Sequence, residues 1–127
     1  MRRLSWLLLA SSITSTGASG QTAKIVGTGA ATCATFLSDI ARNPISEREY
    51  FSWAQGYMSG ILMRAPPGKD ENLDLTPREF PVKHQLEFFR SFCAAHQQDD
   101  YADAAASLYQ RLRDFVPKRS LGNEKDE

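Results

Sequence analysis

Two cysteines and two histidines, Cys33, Cys93, His84 and His96, are the residues of this 127-residue chain whose chemistry is easiest to name. Cys93-Ala94-Ala95-His96 puts a thiol and an imidazole on one helix face, half of a zinc site that Cys33 and His84 would have to complete. At helical pitch His84 lies about 180° around the axis from Cys93, so those ligands do not converge. A cysteine–histidine nucleophile needs a thiolate in an exposed, electropositive setting. Both cysteines instead sit at the centre of apolar helix faces, Cys33 with Phe36, Leu37 and Ile40, Cys93 with Val82, Leu86 and Phe89. In an exported chain such a pair reads as one disulfide. Closing a loop of about 60 residues is worth roughly 4 kcal/mol in the chain-entropy model. No metal and no cofactor is expected.

The acids lead to the same conclusion. Asp99, Asp100 and Asp103 read as a helix cap and a solvated face rather than a pair of carboxylates set for acid–base work. Asp70, Glu71 and Asp74 share a loop that lacks the glycine and the glutamate of an EF-hand. Arg64 to Glu79 alternates in sign and reads as a solvated stretch. Nothing in the chain assembles into an enzyme's constellation.

Those residues are to be positioned by four helices. The first is expected over about 30–41 and is stopped by Asn43-Pro44. The second, Ser46 to Met63, opens on a capping-box signature, Ser46 followed by Glu49. Its core face is Tyr50, Phe51, Ala54, Tyr57, Met58 and Ile61, with Trp53 and Leu62 at the edges. A breaker-rich loop follows, with Leu73 and Leu75 placed to pin its far end. Thr76-Pro77-Arg78-Glu79 is a second capping-box signature, but Pro81 restricts it to a short turn before a third helix over about 82–95. The fourth begins after Asp99 or Asp100 and buries Tyr101, Ala104, Ala105, Leu108, Leu112 and Phe115. No stretch alternates with period two. The fold class is therefore all-α, a small four-helix domain stapled by one disulfide over residues 30–116.

Gly56 and Gly60 are the anomaly in that scheme. Each costs about 1 kcal/mol relative to alanine inside a helix. Two readings explain them. Either another helix backbone comes close, the alanines of the fourth helix being the natural counterpart, or Trp53, Gly56, Tyr57 and Gly60 form a seam that faces a partner protein. The first is the simpler expectation.

The ends bound the compartment. Arg2 and Arg3, the apolar run Leu4–Ile13 and the small residues Ala18-Ser19-Gly20 form a secretory signal over 1–20. The mature chain is then expected in the periplasm or secreted, with a flexible lead-in over 21–29 and a polar tail over 117–127. The full chain balances 15 basic against 15 acidic residues, and removing Arg2 and Arg3 leaves 13 against 15. That balance carries no basic face for nucleic acid and none for an anionic membrane surface.

Thr32-Cys33-Ala34-Thr35-Phe36-Leu37, the glycine-bearing run Trp53 to Gly60, the distant Cys93 and the alanine- and aspartate-rich last helix together resemble the HdeA/HdeB-like small periplasmic proteins. The resemblance covers about residues 30–115. It implies an all-α fold held by one disulfide and a stress-protective, holdase-type chaperone that associates with a second copy at neutral pH and binds unfolded client proteins in acid. The Gly-Tyr-x-x-Gly element is also similar to the Rap/Tai-type periplasmic immunity proteins, which implies a module that binds one specific partner protein.

Overall fold

Thr32 sets the start of the first helix. Its hydroxyl accepts the Thr35 amide at 3.2 Å, the bond an N-terminal cap supplies. The computed structural model describes residues 24–116, so the expected signal segment and the polar tail lie outside the described residues. Within it α1 spans Cys33–Arg42, α2 Ser46–Met63, α3 Val82–Ala95 and α4 Tyr101–Leu112. Short 3₁₀ turns, Thr28–Ala30 and Arg113–Phe115, precede α1 and follow α4. The all-α class and the bridge between Cys33 and Cys93 are both present.

The disulfide joins two helix ends. Cys33 and Cys93 are fully buried and their Cα atoms are 4.7 Å apart, joining the first turn of α1 to the last turn of α3. The α3–α4 connection completes that joint. Its Asp99 and Gln97 carbonyls accept the Cys33 and Ala34 amides at 2.7 and 3.0 Å, while the Tyr101 amide donates to Ala31 at 2.8 Å. Amides that a helix start leaves without partners are thereby satisfied inside the protein. Thr32 and Asp100 form an isolated antiparallel bridge there, and no strand forms among the described residues.

Around this joint lies an aromatic core. Tyr101 sits among Phe36, Tyr50 and Phe89, with ring centroids 4.8, 4.9 and 4.7 Å away. Phe36 and Tyr50 also meet edge to face at 5.0 Å, a preferred geometry for such rings. Ala104 and Ala105 are fully buried, which lets α2 and α3 approach α4 across a thin face.

Several local expectations change. Ser46 does not cap α2. The chain is already helical at Ile45, so Ser46 lies inside the first turn, which is closed instead by Ser46, Glu47 and Arg48 amides donating to Asn43, Pro44 and Ile45 carbonyls. Thr76 caps nothing either: its amide and hydroxyl turn back to Asp74, and a turn from Pro77 to Phe80 leads into α3. On α3, Val82 is 39% exposed, and Gln85 takes the core position one turn before Phe89. Gln85 is fully buried because it staples the loop: its Nε2 donates to Leu75 and Phe80 carbonyls at 2.9 and 3.1 Å. Leu73 is buried, as expected for a pin at the loop's far end.

Candidate protein-binding face

The residues of the glycine seam lie on α2 but do different things. Trp53 is half-buried and reaches back along the chain. Its indole N–H donates to the Val26 carbonyl at 3.1 Å, its ring stacks on Tyr57 at 5.2 Å, and it lies against Gly27 and Gly29. A Cβ on Gly29 would overlap the indole, and Gly27 adopts φ +82°, a conformation glycine enters without steric cost. The described part of the lead-in is thus folded over Trp53, and this close approach of backbone to ring is where the chain needs glycine.

Gly56 and Gly60 face the other way. Both are exposed, and a Cβ built on either meets no atom within 4 Å. Among the described residues no other helix backbone closes on them, so the packing expected for this pair is not found there. Their stripe, with Ser52 and Ser59, is bounded at its ends by Ile45 and Met63, 67% and 85% exposed. The buried residues of the helix, Tyr50, Phe51, Ala54 and Met58, point into the core on the opposite side. Next to the open stripe, a groove of about 280 Å³ lies between α2 and α3, over Phe51, Val82 and Leu86.

Carboxylates fasten the elements around this face. Asp39 on α1 accepts the Tyr50 hydroxyl of α2 at 2.7 Å and pairs with Arg42. The hydrogen bonds from Tyr50 and Arg42 stabilise its charged form and hold Asp39 below the usual carboxylate range. Burial, with Asp39 alongside, pushes the Tyr50 phenol up to about 12. Glu47 on α2 takes a bidentate pair from Arg90 of α3 at 2.6 and 2.7 Å, which strengthens the Arg90 cation.

The third carboxylate belongs to the loop. Asp70 sits at φ +60° with its side chain only 7% exposed. Its two oxygens accept Arg113 Nε and Nη2 at 2.9 and 2.8 Å, and the second also accepts the Tyr109 hydroxyl at 2.8 Å. The fork of Arg113 hydrogen bonds holds Asp70 below its ordinary value. A stretch expected to be merely solvated is therefore fastened to α4 at its middle. Tyr109 is itself buried on the face shared with Ala105 and Leu112, a position its helical spacing signals. Arg113 carries no such signal.

The histidines stay apart from the cysteines. His96 stacks on Phe92 at 4.3 Å and its Nδ1 donates to the Phe92 carbonyl at 2.9 Å, while His84 is exposed beside Phe80. Among the described residues no three histidines, cysteines, aspartates or glutamates converge as a metal site, and both cysteines are consumed by the disulfide. No helix of the described residues is long and apolar enough to cross a membrane. Comparison with known proteins finds no matching family model, curated protein or solved structure.

Proposed function

We propose that this is a small exported, non-enzymatic, HdeA-like protein that acts as an acid-stress chaperone in the periplasm, holding unfolded client proteins. The observation that carries this reading is where the carboxylates sit relative to the disulfide. Asp39 and Glu47 fasten α2 to α1 and α3, and Asp70 fastens the loop to α4, whereas α1 and α3 are joined covalently. Asp39 and Asp70 have depressed folded values, so their stabilisation is present above the unfolded carboxylate value near 4 and is lost as pH falls through the folded values. Acid therefore loosens α2 and the loop while the α1–α3 joint survives. Tyr50, Phe51, Ala54 and Met58 would then become available to an unfolded chain. The test is suppression of client aggregation by the disulfide-bonded protein at about pH 2–3, accompanied by hydrophobic-dye binding. An inert protein throughout that range sinks the reading.

The open stripe of α2 favours a second reading, a periplasmic immunity or inhibitor-type protein. There Gly56 and Gly60 admit a partner backbone at close range, and Trp53 and Tyr57 border the contact. This reading expects a single stoichiometric protein partner at neutral pH. A pull-down that returns only diffuse, substoichiometric proteins counts against it. Association with a second copy, the homodimer implied by the first resemblance, is separated from both by sedimentation at neutral pH.

A further inference from the structure

We infer that the cleft between the end of α2 and the Pro-Pro-Gly loop is a binding site for a small organic anion, a carboxylate or phosphate carried on a short apolar stem. The cleft is an open depression of about 250 Å³. Its charged lining is Arg64, Lys69 and Arg113 against the single carboxylate of Asp70. This is a local excess of positive charge in a chain whose bases and acids balance at 15 each. The α2–α3 groove, by contrast, carries Glu47 and Arg48 and is balanced.

The carboxylate present is already committed. Both Asp70 oxygens are taken by Arg113 and Tyr109, so Asp70 orders the site but leaves little to offer Arg64 or Lys69. Among the described residues neither Arg64 nor Lys69 makes a direct ion pair with an acid, and Lys69 acts on Asp70 only at longer range. Ile61, Ala65 and Pro66 provide an apolar wall beside these cations. A ligand with a charged head and a few methylenes satisfies both parts, whereas a bare inorganic anion leaves the wall unused.

The loop is ordered before any ligand arrives. Lys69 donates its amide to Pro66 at 3.0 Å, Gly68 to the Glu71 carboxylate at 2.9 Å, and Leu73 to the Asp70 carbonyl at 3.0 Å. Asp70 itself holds a left-handed conformation, which aspartate and asparagine enter more readily than other non-glycine residues, and its side chain is tied to Tyr109 of α4 and to Arg113 just beyond it. A preformed loop lowers the ordering cost of binding. The site lies at the opposite end of α2 from the α2–α3 groove and does not depend on either reading of the protein-binding face.

The test is an amide NMR titration of the disulfide-bonded protein at pH 7 with hexanoate and butyl phosphate, and with hexanol as the uncharged control. Saturable shifts confined to residues 61–70 and 110–113 with both anions, and none with hexanol, are expected. The R64A/K69A double variant should bind hexanoate at least about tenfold more weakly, the scale of a lost charge-assisted contact at a partly exposed site. R78A/K83A, which removes two exposed bases elsewhere, should leave the affinity unchanged. Shifts spread over all surface bases, hexanol shifts matching those of hexanoate, or equal affinity in R64A/K69A with its fold intact would each overturn the assignment.

Discussion

Replacing Asp70 by asparagine isolates the charge that holds the loop. Asparagine is nearly isosteric and is, with aspartate, among the side chains that most readily enter the left-handed region, so φ +60° is retained without new strain. The amide can still accept from Tyr109, but it cannot accept two Arg113 donors as an anion does, and it offers Arg113 no counter-charge. Breaking a fully buried ion pair by removing one partner costs about 3–5 kcal/mol. The Arg113 side chain is 30% exposed and regains some water, so the expected loss is smaller, about 2 kcal/mol. For a domain of this size that corresponds to a fall in Tm on the order of 8–15 °C. The assay is urea unfolding of wild type and D70N with the disulfide intact, repeated from pH 7 down to about pH 2. The wild-type advantage should be full above pH 4 and should shrink as pH falls through the depressed Asp70 value, because protonated aspartate resembles asparagine. Equal stability at pH 7, or a difference that stays constant into acid, would refute the assignment of Asp70 as the loop's acid-sensitive fastening.

Three other outcomes follow from the same geometry. G56A should stabilise the protein by about 0.5–1 kcal/mol, since alanine is the better helix former and its methyl meets open space; a destabilised variant in thermal melts would mean that a backbone packs there after all. G29A should cost about 1–3 kcal/mol or release the segment from the indole, read as a change in Trp53 emission in a protein lacking residues 1–20, and unchanged emission with unchanged stability would contradict the observed contact. Tyr50 has a raised value, so its contribution is complete below the usual phenol value near 10 and is lost as pH rises through about 12; an ultraviolet titration should show a late phenol that Y50F removes.

The helices and the bridge were legible in the chain because their information is local. Phe36 and Ile40 recur at helical spacing around Cys33, as Phe89 does around Cys93, so facing those stripes together brings the sulfurs together whatever the details of the crossing. Leu73 as the loop's pin followed from its being among the few apolar residues in a polar stretch. The caps were harder. Ser46-x-x-Glu49 matches a capping signature, yet Pro44 and Ile45 start the helical path one residue earlier and leave Ser46 inside it.

Long-range pairings were beyond the chain's own pattern. Asp70 and Arg113 are 43 residues apart, and nothing in their neighbourhoods selects that pair over the other charges of the loop; the choice was made when α4 fixed Arg113 beside the turn. Gln85 looks like a surface residue until the loop carbonyls of Leu75 and Phe80 are brought over it and accept both protons of its side-chain amide nitrogen. Gly56 and Gly60 illustrate the same division. The sequence by itself determined that these glycines lie on one stripe of α2, through the 3.6-residue repeat. Only the tertiary structure decided that the stripe faces outward, because the close approach of backbone to ring falls at Gly29 and Trp53, and α2 turns its other side to the core.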